Sequence, residues 1–363
     1  MPPALPDELI AADRALDALL SRISFSRHLN PENVASARAA FVDGAEAPPF
    51  RYAPTPWADD AIGELTALRI PNSHPLGPLL SRAIGDTIAL IVALRDRTAE
   101  AFDALAQRAE WYPGAADSVS HPVCSPGAAP TGSMGADEMF EVLTRALRER
   151  ALIGWRVERD PVMSARVLVD SAKRIVRLNP ASRFRQADAI SLVAHEIDVH
   201  VMRAANGADQ PLRLFANGLP GSLLTEEGLA ITAEERMGTL PETFLPRQAL
   251  VLRAVERART MGFRDLYACV TAESSEAFAW QVCLRVKRGL ADPGAPGVYA
   301  KDTAYYRGYR LVQAWLASGG NVSDLYVGKV ATEHPVAEWL AEGLIRSGPV
   351  PEMWRAPLPI QST

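Results

Sequence analysis

Cysteine is scarce in this chain: Cys124, Cys269 and Cys283 are the only three. So small and odd a set argues against a disulfide framework and for a reducing compartment. No Cys-x-x-Cys pair occurs, which makes a thiolate metal site a poor expectation. Long apolar runs are missing too. The longest, Ile88 to Leu94 between Asp86 and Arg95, falls far short of a bilayer span. The opening Met1-Pro2-Pro3-Ala4-Leu5-Pro6-Asp7-Glu8 has neither the basic start nor the apolar stretch of a signal peptide. A soluble, cytoplasmic protein with no membrane partner is expected. Basic charge is not in excess either: 38 Lys and Arg face 43 Asp and Glu, for a formal net charge of −5. Without a basic excess or stripe there is no nucleic-acid footprint.

What is present is ordinary globular usage, 48% hydrophobic and 22% charged, over 363 residues. That length allows two domains, or one large domain with an accessory part. Residues 1–112 read as an N-terminal helical region, with Leu9, Ile10, Leu16, Leu19, Leu20 and Ile23 at helical spacing. Asn30 before Pro31 reads as a cap opening a second helix, and Pro48 to Pro56 as an extended connection. A longer helix is expected roughly from Leu79 to Ala109. Residues 113–135, with Pro113, Pro122, Pro126 and Pro130 among Gly, Ala and Ser, read as a linker or loop.

The segment 136–355 reads as the functional core, followed by a tail at 356–363. Trp155 to Arg159, Arg166 to Asp170 and Arg174 to Leu178 are rich in β-branched residues. The last two suggest a hairpin turning at Ser171-Ala172-Lys173, with Arg174 to Leu178 as a charged edge strand. A helix is expected from about Arg185 to Asn206, closed by Gly207, and another beginning near Thr225. The fold class expected is α+β, predominantly helical, with a small β-sheet.

The chemistry concentrates in His195-Glu196-Ile197-Asp198-Val199-His200 and Thr225-Glu226-Glu227-Gly228-Leu229-Ala230. Two imidazoles, a carboxylate between them and a later acidic pair are the inventory of a catalytic zinc site. The spacing is the difficulty. Histidines four apart lie about 40° apart around an α-helix, whereas five apart gives about 140° and divergent rings. Either the histidines are unrelated core residues, or the helix holds an extra residue as a π-bulge, and the spacing predicts π geometry between Glu196 and His200. Glu226 and Glu227 have a plain alternative as first-turn acids favoured by the helix dipole. Following such a helix, one of them is the expected third ligand. Glu196 is then the free carboxylate that takes a proton from water. Asp198 is read equally as a residue orienting a histidine or as solvated filler. Glu234 and Glu235 could be acids that support the metal ligands from behind, with helix surface the preferred reading, and His28, His74, His121 and His334 read as ordinary histidines.

The run from Leu192 to Arg203, with Asn206-Gly207, Gln210-Pro211 and Glu227-Gly228-Leu229-Ala230, resembles the QEGLA-motif proteins. Their animal relatives are the microtubule-associated tyrosine carboxypeptidases, which trim the C-terminal tyrosine of α-tubulin. Pro48-Pro49-Phe50-Arg51-Tyr52, Lys301-Asp302-Thr303-Ala304-Tyr305 and Gly328-Lys329 match further elements, so the resemblance covers nearly the whole chain. It implies a zincin-like metallopeptidase holding one Zn²⁺ by His195, His200 and Glu227, with Glu196 as catalytic carboxylate. Tyr305, at the end of the Lys-Asp-x-x-Tyr element, is read equally as a donor to the developing oxyanion or as a core-packing tyrosine. Glu226 stands where the family has Gln, and Asp198 where the animal enzymes have Gly, which bears on specificity more than on chemistry.

The expected substrate is a peptide or protein C-terminus, whose carboxylate arginine would hold; Arg203, Arg213 and Arg307 are the candidates. Tubulin itself is a poor expectation, since a negative chain lacking a basic extension would attract its acidic tails weakly. Two other roles compete: a zinc endopeptidase or amide hydrolase maturing a dedicated peptide precursor, and a non-catalytic regulatory protein. The intact Glu196 speaks against the last.

Overall fold

The structure of the chain, a computed structural model, describes residues 5–114, 133–161, 163 and 165–355. The linker expected at 113–135 falls mostly outside the described residues, and the 356–363 tail wholly outside them. The first described stretch forms α1 (Asp7–Arg22), α2 (Phe25–Leu29), α3 (Val34–Val42), α4 (Ala58–Thr66), α5 (Gly77–Asp96) and α6 (Ala99–Arg108). The opening apolar spacing does make a helix, burying Leu9, Leu16 and Leu19.

Two boundaries differ from expectation. Asn30 closes α2 rather than opening the next helix, which starts after Asn33. The single helix expected over 79–109 is broken at Arg97, whose φ of 55° is left-handed. The guanidinium explains the break. It donates to the carbonyl oxygens of His28, Ala53 and Gly289 and lies 4.3 Å from the Tyr52 ring centre, which fixes the turn. Thr98 then caps α6 by accepting from the Ala101 N–H at 3.2 Å. Among the described helices α5 alone has the length and composition to cross a bilayer, yet Leu80, Ile84, Ile91 and Leu94 on it are buried in the protein.

After α7 (Ala136–Glu149) come β1 (Arg156–Arg159), β2 (Val167–Asp170) and β3 (Ile175–Leu178), in sheet order β1-β3-β2. The hairpin is as expected, antiparallel with Val167 opposite Leu178. β3, however, is the central strand and not an edge, since β1 pairs with it in parallel. Its charge is accommodated because Arg177 pairs with Asp160 at 3.1 Å and Asp170 at 3.0 Å.

One uninterrupted helical run follows: α8 (Gln186–Leu192), a π-helical segment (Val193–Val201) and α9 (Met202–Ala208). Gly207 lies inside this run rather than closing it. A Cβ there would sit 2.2 Å from the Phe215 carbonyl oxygen, so glycine is needed for close approach. The remaining helices are α10 (Leu214–Asn217), α11 (Ser222–Arg236), α12 (Phe244–Ala258), α13 (Phe263–Thr271), α14 (Glu276–Lys287), α15 (Thr303–Ala317) and α16 (Val336–Ala341). The chain is thus α+β, predominantly helical with one small mixed sheet.

Two apolar cores hold these elements. One joins α1, α4, α5, α7, the sheet, the π segment and α11; the other joins α6, α12, α13 and α14. Phe50 and Tyr52 of the extended Pro48–Pro56 stretch serve the second, Phe50 against Phe263 and Trp280, Tyr52 accepting from the Gly289 N–H.

α11 and α15 cross backbone to backbone where two glycines meet. A Cβ on Gly228 would lie 2.0 Å from the Gly308 carbonyl oxygen, and one on Gly308 2.0 Å from that of Leu224. The glycine after Glu227 therefore serves packing. Gly228→Ala is expected to destabilise the fold by about 1–3 kcal/mol through overpacking, read by urea denaturation; unchanged stability would contradict the close crossing.

Candidate metal centre

The π segment solves the spacing problem set by His195 and His200. Bonding from i to i+5 brings residues five apart onto one face. The two rings stand 4.9 Å apart centre to centre, and α11 presents Glu227 opposite them. Both Nε2 atoms lie 3.9 Å from the same Glu227 oxygen, Oε2. One ligand atom from each of His195, His200 and Glu227 falls within 4.8 Å of the others. Two imidazole nitrogens and a carboxylate oxygen converging in this way fit zinc, by donor type and by separation.

The other ring nitrogens are already committed. His195 Nδ1 lies 2.6 Å from Glu234 Oε1, whose second oxygen accepts from Ser191 Oγ at 2.6 Å. His200 Nδ1 lies 2.8 Å from Glu226 Oε1. A carboxylate only accepts, so each imidazole places a proton on Nδ1 and leaves Nε2 as the nitrogen facing the ligand set. Glu226 is anchored in turn by Arg203 at 2.8 Å and Lys329 at 3.1 Å. Burial would raise its carboxyl, but these cations and His200 hold it well below the usual carboxylate range. For His195, burial disfavours the charged ring; Glu234, Glu196 and Glu227 outweigh it and push its pKa up to about 9.

The two acids differ in place from the first-turn expectation. α11 starts at Ser222, so Glu226 and Glu227 lie beyond its first turn, both buried. The helix dipole therefore does not explain them. Glu234, expected on the surface, is the partner of His195, while Glu235 pairs with Tyr309 and Gln313. Asp198 neither orients a histidine nor meets solvent: it is buried and paired with Arg150.

Glu196 is distinct among these carboxylates. It is buried on the π segment, yet its carboxylate makes no hydrogen bond or ion pair to another described residue. A cavity of about 380 Å³ opens at His195, with Tyr305 on its wall. The Tyr305 hydroxyl is pushed up from its ordinary pKa by the Glu227 carboxylate and by burial, and so stays protonated as a donor. Arg285, over its ring at 5.7 Å, is itself forked onto the buried Asp302 of the Lys-Asp-x-x-Tyr element.

The three arginines named as carboxylate holders lie elsewhere. Arg203 is fully buried, spending its guanidinium on Glu226 and the carbonyl oxygens of Leu325, Gly328 and Val330. Its role is internal, because the side chain is wholly enclosed. Arg213 donates to the Ala208 carbonyl and Arg307 to that of Glu110, and neither lines the cavity at His195. The cavity arginines, Arg247 and Arg285, were not singled out from the sequence; they come from α12 and α14, which carry no motif.

Glu234 offers a direct test of the histidine's anchoring. Glu234→Gln is expected to lower metal affinity about 10- to 100-fold, measured by competition with a chromophoric chelator; unchanged affinity would show that the contact is idle.

Comparison with known proteins bears on this centre. A family model described as microtubule-associated tyrosine carboxypeptidase matches residues 122–362, more than half of the chain. Microtubule-associated tyrosine carboxypeptidase 1 of Homo sapiens is 31% identical over 158 residues, 42% of this chain and 33% of that protein. The Rattus norvegicus protein of the same name is 27% identical over 179 residues, 47% of this chain and 38% of its own length. A putative tyrosine carboxypeptidase, MATCAP2 of Homo sapiens, is 32% identical over 122 residues, 32% of this chain and 23% of its own. The chain thus spans about a third of the length of the curated relatives it matches.

Proposed function

The chain belongs to the microtubule-associated tyrosine carboxypeptidase family, and from that premise we propose that it is a zinc-dependent carboxypeptidase removing a C-terminal residue from a peptide or protein. The observation that carries this reading is the pairing of a three-ligand set with one uncommitted carboxylate. Glu226 and Glu234 are bound to histidine Nδ1 atoms, Glu227 faces both Nε2 atoms, and Glu196 alone keeps its oxygens free among them. A centre built only to hold an ion has no use for that fourth acid.

His195, His200 and Glu227 would hold the zinc. When bound, zinc supplies Lewis acidity, polarising a carbonyl and acidifying water. Glu196 accepts the proton of the attacking water and returns it to the departing amine, a transfer suited to a carboxylate with no competing partner. The Tyr305 hydroxyl donates to the carbonyl oxygen as negative charge grows there. Asp302 and Arg285 keep that tyrosine in place. The relatives' names supply the carboxypeptidase type and suggest tyrosine as a released residue.

The test is an incubation of zinc-loaded protein with peptides of varied C-terminus, followed by mass spectrometry. Loss of a single C-terminal residue, abolished by 1,10-phenanthroline and restored by zinc, is the expected result. Zinc-loaded protein that cleaves only internal bonds, or none, would contradict the proposal.

A further inference from the structure

The cavity that opens at His195 is walled partly by apolar side chains, among them Phe244, Val251, Phe278 and Val282. Three side chains able to carry positive charge line it: His195, Arg247 and Arg285. His195 belongs to the metal set. Arg285 is already committed, its fork closed through Nε and, at 3.0 Å, through Nη2 on Asp302, a carboxylate it shares with Arg288 at 3.3 Å. Arg247 is different. On α12, its guanidinium makes no hydrogen bond and no ion pair to any described residue and stacks 4.7 Å from the Phe278 ring centre. Stacking fixes the plane of a guanidinium while leaving its N–H fork unused. The side-chain amides of Gln248 and Gln281, on the same walls, also make no hydrogen bond to a described residue.

A C-terminal residue differs from an internal one by a single feature, an anionic carboxylate on its Cα. A planar, preoriented and unpaired guanidinium is the group that matches it with two parallel hydrogen bonds. We infer that Arg247 is the anchor for the terminal carboxylate of the substrate, and that this contact makes the centre select chain ends over internal bonds. The inference rests on the peptidase reading above and deepens it. Because the anchor holds substrate and transition state alike, its loss acts on KM more than on kcat.

The experiment compares wild type, Arg247→Gln and Arg247→Lys as zinc-loaded full chains. Each receives one peptide with a free C-terminal phenylalanine and the same peptide as its C-terminal amide. In parallel, N-acetyl-phenylalanine and its amide are titrated calorimetrically. Wild type is expected to prefer the acid in both assays. In Arg247→Gln the KM for the acid rises about 10- to 150-fold, the worth of a hydrogen-bonded charge, and the acid-to-amide ratio collapses toward one. Arg247→Lys, which keeps the charge without the fork, recovers part of it. An acid-to-amide ratio unchanged in Arg247→Gln overturns the anchor while leaving the peptidase reading standing. Wild type that cleaves neither peptide but binds the acid in an Arg247-dependent way leaves the anchor standing and overturns the peptidase reading. Wild type that neither cleaves nor discriminates overturns both.

Discussion

Glu196→Gln is expected to keep one zinc ion per chain and to lose about 10²- to 10⁴-fold in kcat, the worth of a positioned general base. The substitution is nearly isosteric and removes only the ability to take up a proton. Glu196 contacts no other described side chain by hydrogen bond or ion pair, so the change breaks no network and the fold should melt as wild type does. Metal content by atomic absorption and turnover by mass spectrometry give the two halves of the result. Loss of zinc in this variant would make Glu196 a ligand. Full activity with zinc retained would remove it from the chemistry.

Glu227→Ala should do the opposite, losing the ion and with it all turnover while leaving the fold in place. Glu227 faces Nε2 of both histidines at 3.9 Å, and its side chain makes no hydrogen bond to another described residue, so its removal opens the ligand set and little else. The neighbouring Glu226→Ala has a different signature. It leaves the fully buried Arg203 without its counter-charge, and breaking such a pair costs about 3–5 kcal/mol. It also frees His200 to rotate. Zinc content must therefore be measured per folded chain, with stability followed by urea denaturation. A folded Glu226→Ala without zinc beside a zinc-loaded Glu227→Ala would reverse the assignment of the third ligand.

Much of this centre is legible in the sequence because local spacing makes a hard geometric demand. Histidines five apart cannot share an ion on an α-helix, and the chain supplies a π-helical segment at that place. The sheet hairpin was equally local. The anchoring acids are only partly legible. Glu234 reads as a possible supporting acid but more simply as helix surface, although it stands seven residues after Glu227 and so on the same helical face, a signal that favours the first reading. Glu226 and Arg203 could not be placed, because their roles come from Leu325, Gly328, Lys329 and Val330, more than a hundred residues away. Tertiary contacts also overrode local cues elsewhere. Arg97 breaks the helix expected over 79–109 although no Gly or Pro stands beside it. β3 is central despite its charge, because Asp160 and Asp170 take up Arg177. The misplaced carboxylate holders have the same origin: an arginine's neighbours are set by helices far along the chain.

The most direct test of the central claim is crystallography of the zinc-loaded protein with anomalous data at the zinc edge. The account predicts one ion, about 2.0–2.1 Å from Nε2 of both His195 and His200 and within about 2.2 Å of a Glu227 oxygen, with both Nδ1 atoms still on Glu234 and Glu226. An ion bound through Nδ1, an ion held by Glu226 in place of Glu227, or no ion between these three side chains at saturating zinc would contradict it.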